Sequence, residues 1–376
     1  MDRDRILIRG LNWLGDAIMA LPALQRLRQA RPEAHIAILT PRKLADLWKP
    51  PLIDKVIAFD REESAWQISQ RLRRGRYSTG IVLPMSFRSA LELWLAGIPK
   101  RIGAEHKGRG PLLSHPVRKP HGILEMQKRP EAEILRLVAS STLRAPEQAS
   151  RFSHHTYRYL SLVEALGADP TPIAPHLAMD AEEVEAIHHR FLCDKEAGDA
   201  PFYGMCPGGE YGPTKRWPEE RFVEAARRLH ERTGCRWLLF GAPGETAACE
   251  RIASAVREKG DTPIWNLAGQ TSLREVAGLL KSCSLVMGND SGPLHLAAAV
   301  GTPVAALFSS TSAVLTAPGL PGEPKHFIAV STAACSPCYL RACPIDMRCM
   351  DSLTVERMVN GILELQEHSV SRLSRV

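Results

Sequence analysis

The stretch that decides the fold is Leu-Val-Met-Gly-Asn-Asp-Ser-Gly-Pro-Leu-His-Leu-Ala-Ala-Ala, from Leu285 to Ala299. Its first three residues are apolar and typical of a strand, and its Ala-rich end predicts a helix packed under a sheet. The polar residues between them follow the carboxyl end of the strand, where ligands bind in open α/β sheets. The amides and the dipole of a helix start favour an anion such as phosphate. The alternative is that Asp290 or Ser291 only caps the helix.

The N-terminus repeats this order of strand, loop and helix. Arg5–Arg9 predicts a buried strand, a loop with two glycines follows, and the amphipathic run Ala17–Arg31 predicts a helix bent at Pro22. The loop lacks the third glycine of the dinucleotide fingerprint, which disfavours a nicotinamide cofactor. Asp16, at the helix start, is either a partner of the helix dipole or a general base aimed at a cleft.

Short apolar strands alternate with helical segments near the N-terminus and again in 202–308. Such alternation predicts parallel sheets covered by helices on both faces. The Pro-rich segment Gly167–Pro175 separates the two series as a linker. We therefore predict an α/β protein with an N-terminal domain at 1–175 and a C-terminal domain at 176–350. These would be doubly wound, Rossmann-like domains that face each other across a cleft. The segment 351–376 is predicted to be a closing helix, with packing on the N-terminal domain as one option.

A glycine-rich loop is the second candidate ligand site. It reads Pro-Gly-Gly-Glu-Tyr-Gly-Pro-Thr-Lys-Arg-Trp-Pro at Pro207–Pro218 and follows the first strand of the second series. Its glycines would allow backbone amides to approach a phosphate closely, and Lys215 would add a positive charge. The Gly-Lys-Ser/Thr sequence of a P-loop is absent, so the loop is not predicted to be one.

Charge is distributed unevenly along the chain. The net charge of +7 is composed of +10 in residues 1–180 and −3 in the remainder. A basic N-terminal half predicts an acidic partner, and no helix-turn-helix, zinc-finger or RNP-type motif favours nucleic acid. The segment 105–130 is predicted to be a long basic loop, which is either functional or simply solvated. Its candidate contacts to an acidic ligand are Lys107, Arg109, Arg118 and Lys119.

Four of the nine cysteines are clustered as Cys335-x2-Cys338-x4-Cys343-x5-Cys349. This spacing is compatible with a structural zinc ion or an Fe–S cluster. The alternative is four reduced thiols that pack as small apolar groups. The N-terminus has no apolar core of a signal peptide, and no run approaches the ~18–20 apolar residues of a membrane span. We therefore expect a cytoplasmic protein, in which disulfides are rare.

Four segments of the chain form a recognisable set: Gly10–Pro22 with its Gly15-Asp16 pair, Cys206–Pro218, Asn266–Thr271 and Asn289–His295. Together they resemble the ADP-heptose:lipopolysaccharide heptosyltransferases of glycosyltransferase family 9. The Lys-Arg-Trp-Pro of the glycine-rich loop is most similar to the heptosyltransferase II branch. The likeness runs over nearly the whole chain, and the Cys-rich tail also recurs in the family.

The resemblance implies a GT-B fold and an inverting sugar transfer that requires no catalytic metal or other cofactor. The implied donor is ADP-L-glycero-β-D-manno-heptose, with its ADP in the C-terminal domain. The implied acceptor is the inner core of lipopolysaccharide, specifically the first heptose on Kdo2–lipid A, bound by the N-terminal domain. The implied location is the cytoplasmic face of the inner membrane, whose anionic surface suits the basic half of the chain.

Matched position by position, the resemblance also implies roles for individual residues. Asp16 corresponds to the general base, and Lys215 corresponds to the lysine that meets the diphosphate. Thr271 corresponds to a position near the adenosine. The contacts to the donor sugar and its phosphates correspond to Asp290, Ser291, Gly292 and His295.

Other functions stay open at this point. One is heptosyltransferase I, or another GT-B transferase or epimerase with a different nucleotide sugar; competition by ADP against UDP discriminates the donors. Another is a non-catalytic envelope-assembly protein that has kept the fold. The joint presence of Asp16, Lys215 and His295 argues against it.

Overall fold

A computed structural model describes residues 4–106, 108–118, 123–141, 143–144, 147, 150–195, 200–320, 323 and 325–373. Its contacts divide the chain into two compact units. Unit 1 consists of Met1–Ile123 and Phe152–Pro175, and unit 2 consists of Leu124–Arg151 and His176–Val376. Within the described residues, every helix is too short or too polar to cross a lipid bilayer.

Unit 1 is built on a parallel sheet of six strands in the order β3-β2-β1-β4-β5-β6. The strands are β1 (Arg5–Arg9), β2 (His35–Pro41), β3 (Lys55–Phe59), β4 (Thr79–Val82), β5 (Lys100–Ala104) and β6 (His115–Val117). The helices in this half of the chain are α1 (Leu14–Met19), α2 (Leu21–Ala30), α3 (Ala65–Arg73), α4 (Phe87–Leu95), α5 (Glu131–Ser140) and α6 (His155–Glu164). With β1 inside the sheet, successive crossovers run in both directions, which confirms the predicted doubly wound design.

Two local features of unit 1 differ from the prediction. The segment 105–130, predicted as a loop, contains β6, a three-residue edge strand whose central proline hides its pattern. The single bent helix predicted at Ala17–Arg31 is two helices, α1 and α2, that meet at Ala20. Pro22 lies in the first turn of α2, where a missing N–H costs no hydrogen bond.

Unit 2 has a second parallel sheet of six strands in the order β12-β11-β10-β7-β8-β9. Its strands are β7 (Phe202–Cys206), β8 (Arg236–Leu239), β9 (Ile264–Asn266), β10 (Leu285–Asn289), β11 (Val304–Phe308) and β12 (Phe327–Val330). Its further helices are α7 (Ala181–Leu192), α8 (Glu219–Thr233), α9 (Thr246–Glu258), α10 (Leu273–Ser282), α11 (Gly292–Ala299), α12 (Ala313–Thr316) and α13 (Val355–Leu373). Both central strands, β7 and β10, are buried along their whole length, as expected for a sheet covered on two faces.

Segments 124–151 and 351–376 belong to unit 2. The sequence predicts the first in the N-terminal domain and leaves packing of the second on that domain as one option. Segment 124–151 contains α5, whose Ile134 is buried in the core of unit 2, and the Arg129 amide donates to the Cys338 carbonyl at 3.0 Å. The closing helix α13 buries Met358 and Ile362 in the same core and contacts α8 and β12. The apolar faces of both helices have their partners there, which explains the difference from the predicted boundaries.

Candidate active site

The carboxyl ends of β7 and β10 bring the two predicted ligand-binding segments of unit 2 to the same edge of the sheet. The strands are parallel neighbours, with Gly288 paired with Cys206. A Cβ on Gly288 would lie 2.4 Å from the Cys206 carbonyl oxygen, so this close approach requires glycine. The glycine-rich loop, Pro207–Pro218, and Asp290 therefore leave the sheet side by side.

Asn289 holds the glycine-rich loop at both ends. Its fully buried side chain donates from Nδ2 to the Pro207 carbonyl at 2.6 Å and accepts at Oδ1 from the Trp217 amide at 3.0 Å. Within the loop, the Gly209 amide donates to the Glu245 carboxylate at 2.8 Å. These contacts fix the backbone that carries Lys215.

Lys215 and Asp290 form an ion pair. Lys215 ends a single 3-10 turn, and its Nζ lies 2.5 Å from Asp290 Oδ2 and 4.9 Å from the centroid of the Tyr211 ring. The hydroxyl of Thr311 donates to the same Oδ2 at 2.6 Å. Because the Lys215 and Asp290 side chains are only 14% and 5% exposed, the pair is strongly shielded from water. A phosphate bound here would compete with Asp290 for the ammonium group.

Ser291 is the N-cap residue of α11, but its side chain makes no capping hydrogen bond. Its Oγ is buried and, within the described part of the chain, has no hydrogen-bond partner. The Asp290 carboxylate is turned to Lys215 and Thr311 instead. The interpretation that either side chain caps the helix is therefore wrong. Without a side-chain cap, the Gly292 amide at this helix start can serve an anionic ligand, whereas Pro293 has no N–H and the Leu294 amide donates to the Ser291 carbonyl at 3.2 Å.

Two of the other predicted donor contacts lie on α11, and the third lies further along the sheet. Gly292 begins α11, and His295 is buried one turn further along. His326 lies close enough to His295 for their charges to interact, and burial lowers the pKa of His326 to about 4, against the opposing charge of Glu323. Thr271 is half-buried in the bend between β9 and α10, three strands along the sheet from β10.

The segment 335–350, the Cys-rich segment, lies against the glycine-rich loop. The Tyr211 hydroxyl donates to the Tyr339 carbonyl at 2.6 Å, and the Thr214 hydroxyl donates to the Leu340 carbonyl at 2.5 Å. These bonds involve residues on both sides of Gly212. The Cys-rich segment therefore supports the turn that presents Lys215.

The four clustered cysteines line one cavity together with Thr214 and Ser309. All four are free thiols, and burial raises the pKa of Cys349 to about 12. Among the residues that the structure describes, no group of three or more His, Cys, Asp or Glu side chains is arranged to hold a metal ion. As placed, the cysteines therefore do not fit the predicted zinc or Fe–S site, which needs converging thiolates. The four thiols share one cavity, but they are not arranged as ligands of a single ion.

Asp16 lies in the first turn of α1, in unit 1. Its Oδ1 accepts a hydrogen bond from the Tyr159 hydroxyl at 3.4 Å, and His155 Nδ1 lies 3.7 Å from the same oxygen. Burial, assisted by the charge of Asp16, raises the pKa of Tyr159 well above its usual value, so the phenol stays protonated. The Asp16 side chain is 28% exposed and is thus accessible to a ligand.

A buried arginine supports the loop that precedes Asp16. Arg9 donates from Nε to Glu92 at 2.7 Å, and its Nη1 donates to the Gly10 carbonyl at 2.6 Å and to Asn12 Oδ1 at 3.2 Å. Burial lowers the pKa of Arg9, and the carboxylate of Glu92 opposes this effect. The ion pair therefore connects β1 and α4 to the loop and fixes where α1 begins.

The predicted basic contacts separate into three groups. Arg109 has no exposed surface, and its guanidinium donates to the Ala104 and Pro84 carbonyls inside unit 1. Such an arginine holds the chain together rather than meeting a ligand at the surface. The Arg118 side chain is 92% exposed, with the Glu105 carboxylate 3.8 Å away. The remaining two residues lie outside the described residues: Lys107 and Lys119.

Known proteins are similar to this chain over most of its length. The family model described as glycosyltransferase family 9 (heptosyltransferase) matches residues 65–347, well over half of the chain. The chain belongs to glycosyltransferase family 9. This family 9 glycosyltransferase is 30% identical to lipooligosaccharide heptosyltransferase 2 of Haemophilus ducreyi, over 84% of the chain and 86% of the relative. It is 29% identical to lipopolysaccharide heptosyltransferase 2 of Escherichia coli K12, over 84% and 85% of the two chains.

A solved structure shows the same fold in this family. The structure of the E. coli ADP-heptose LPS heptosyltransferase II matches with a TM-score of 0.74 and 25% identity, over 97% of this chain and 99% of that one. The GT-B fold class that the sequence predicts is thereby confirmed, as is the resemblance to the heptosyltransferase II branch.

Several residues of the candidate site carry little signal in the sequence. Thr311, which binds Asp290, is one of four consecutive hydroxyl residues after β11. His155 and Tyr159 occur in an amphipathic helix, where such residues usually belong to the core. The i,i+4 spacing of His155 and Tyr159 is the signal that places them on one helix face.

Proposed function

We propose that this family 9 glycosyltransferase transfers L-glycero-D-manno-heptose from ADP-heptose to the lipopolysaccharide inner core, with the first heptose on Kdo2–lipid A as acceptor. The observation that carries the proposal is the Lys215–Asp290 pair beside the start of α11. It puts a cation next to a helix start without a side-chain cap, as a departing diphosphate requires. The similarity to heptosyltransferases 2 of H. ducreyi and E. coli supports the choice of sugar and acceptor.

Asp16 is the proposed general base. It removes the proton from the acceptor hydroxyl as that oxygen bonds to C1 of the heptose. The bond from C1 to the diphosphate oxygen breaks at the same time, ADP departs from the opposite side, and the configuration at C1 inverts. Lys215 and the Gly292 amide at the start of α11 stabilise the charge that develops on the diphosphate. We propose that this stabilisation makes a catalytic metal or other cofactor unnecessary.

The donor is assigned to unit 2. The buried hydroxyl of Ser291 supports this assignment, because it has no partner among the described residues and a ligand oxygen would supply one. Thr271 is assigned to the adenosine, since it lies further along the same edge of the sheet. The proposed contacts to the sugar and the phosphates are Asp290, Ser291, Gly292 and His295.

The acceptor is assigned to unit 1. Residues 1–180 carry a net charge of +10, which favours a phosphorylated, Kdo-bearing ligand. Arg118 supports this assignment because its side chain is exposed. Lys107 and Lys119 remain proposed contacts from the sequence, whereas the burial of Arg109 removes it from the set.

We further propose peripheral contact with the anionic inner face of the inner membrane. Trp66 on α3 and Trp94 on α4 are about half exposed. Arg73 lies 5.4 Å from the Trp66 ring and donates to the Leu95 carbonyl, so cationic and aromatic groups occur together on these helices. Aromatic and basic side chains are the groups that favour an anionic lipid surface.

Mass spectrometry of lipopolysaccharide from a strain that lacks this protein tests the proposal. We expect a core that ends after the first heptose and is restored by the wild-type gene. Purified protein should transfer heptose from ADP-heptose to that truncated core, with ADP but not UDP as a competitor. A complete core, or truncation at a different sugar, would show that the assigned step is wrong.

A further inference from the structure

Two side chains of α6 converge on one oxygen of Asp16. The Tyr159 hydroxyl lies 3.4 Å from Asp16 Oδ1, and His155 Nδ1 lies 3.7 Å from it. The two residues are four positions apart and therefore lie on the same face of the helix. Both are buried, and His155 Nδ1 has no hydrogen-bond partner in the described part of the chain. A buried imidazole nitrogen without a hydrogen bond destabilises the folded state, so its presence calls for an explanation such as a functional role.

The helix that carries these residues is fixed in place. His154, its N-cap residue, accepts at Nδ1 from the Thr156 amide at 3.3 Å, and Tyr157 packs edge-to-face on Phe152. His154 and Tyr157 therefore stabilise the helix that carries the pair at Asp16.

Charged side chains occur on α6 itself and on α2, which packs against α1 and α6. The positive charge of Arg158 opposes the effect of burial on the Tyr159 pKa. On α2, the other helix that packs against α1, the charged side chains are Arg26 and Arg28. These are bound to carboxylates elsewhere, at Asp169 and Asp54.

We propose that Tyr159 and His155 are positioning residues for Asp16: they hold its Oδ1 and orient the carboxylate toward the acceptor hydroxyl. The inference rests on the proposed role of Asp16 as general base. Contacts of this kind are commonly long without substrate and shorten in the reacting complex. Tyr159 acts as donor and favours the ionised carboxylate, and His155 adds a second polar contact on the same oxygen. Neither residue touches the reacting atoms.

The test compares Tyr159→Phe and His155→Leu with the control Tyr157→Phe on the same helix. Loss of a donor makes the ionised Asp16 less favourable, so the acid limb of kcat/KM should move to higher pH by about 0.5–1 unit in Tyr159→Phe. We expect kcat to fall about tenfold in each variant while the affinity for ADP stays unchanged. His155→Gln, which keeps a polar group at this position, should recover part of the loss, and Tyr157→Phe should match wild type.

A structural role alone would lower the amount of folded protein without moving the pH profile. If the acid limb of kcat/KM were unchanged in Tyr159→Phe and His155→Leu while Asp16→Asn was inactive, the inference would be overturned. The proposed function would then still stand. Asp16→Asn at the wild-type rate would overturn the base assignment and the inference together. Carbon-13 NMR titration of the aspartate carboxyl groups, assigned with Asp16→Asn, measures the same shift without turnover. The positioning role is therefore testable even if the sugar transferred is not heptose.

Discussion

Replacing Lys215 with methionine removes the cation from Asp290 but keeps an unbranched side chain of similar length. The ammonium lies 2.5 Å from Asp290 Oδ2, and both side chains are mostly buried. Deleting one partner of a buried ion pair costs about 3–5 kcal/mol, because the other charge is left uncompensated. Thr311 still donates to Asp290, so we expect the lower figure, about 3 kcal/mol, and a decrease in Tm of ~6–12 °C.

The same substitution should weaken the binding of ADP. Hydrogen bonds to charged groups contribute about 1.5–3 kcal/mol, which corresponds to roughly 10–150-fold in affinity. In the wild type, the ammonium must first leave Asp290, and this offsets part of the gain. We therefore expect Lys215→Met to lower the affinity for ADP by about tenfold, as measured by isothermal titration calorimetry.

Two further variants separate the effects on stability and on binding. Lys281→Met removes an exposed lysine of unit 2 and should change the free energy of unfolding by less than about 0.5 kcal/mol. The double variant Lys215→Met/Asp290→Asn should regain most of the lost Tm, because an amide carries no charge, but not the affinity for ADP. If Lys215→Met kept both the wild-type Tm and the wild-type affinity, the ion pair and the phosphate role would both be refuted.

Three further predictions concern the surroundings of this pair. Asn289→Leu should lower the free energy of unfolding by about 2–4 kcal/mol in urea titrations, because loop groups that it now binds would stay buried and unpaired. Gly212→Ala should lower the free energy of unfolding by about 1–3 kcal/mol and weaken the binding of ADP, because the φ of Gly212 is +147° and the new Cβ would lie 2.8 Å from the Arg341 carbonyl oxygen. The pKa of His326 is lowered from 6.5 to about 4 mainly by burial. As the pH falls, His326 is therefore protonated in the unfolded chain before it is protonated in the folded protein. The free energy of unfolding should therefore fall by about 3 kcal/mol from pH 6.5 to 4, and His326→Gln should flatten this slope.

The location of the site in unit 2 can be predicted from the sequence because its two parts each follow a buried apolar run. The carboxyl ends of all strands in a parallel sheet lie at one edge, so the sequence places the glycine-rich loop and Asp290 at that edge. Their mutual contact could not be predicted. Lys215 and Asp290 are 75 residues apart, and each was assigned to a ligand rather than to the other. Only the register of β7 and β10 determines that the two side chains meet.

The sequence is less informative where a contact depends on packing between distant elements. Asp16 is 143 residues from Tyr159, and a tyrosine in an amphipathic helix usually reads as a core residue. The spacing of the cysteine cluster is compatible with a metal site or with packed thiols, and the described thiols share a cavity without being arranged to hold an ion. Ser291 has a typical cap sequence and the extended backbone of an N-cap residue, yet its hydroxyl makes no capping hydrogen bond. Residue type and spacing define which chemistry is possible, and tertiary packing decides which is realised.

The Lys215–Asp290 pair makes stability and donor binding depend on each other. With the ammonium on Asp290, both buried charges are compensated and the glycine-rich loop is held in place. A diphosphate that takes the ammonium leaves Asp290 with the Thr311 hydroxyl as its remaining described side-chain partner. An uncompensated buried carboxylate is costly, so the donor must also supply hydrogen bonds to Asp290. Sugar hydroxyls have the required donors, whereas the phosphates of ADP do not. Asp290 is therefore the residue through which the proposed site would distinguish a nucleotide sugar from the nucleotide alone.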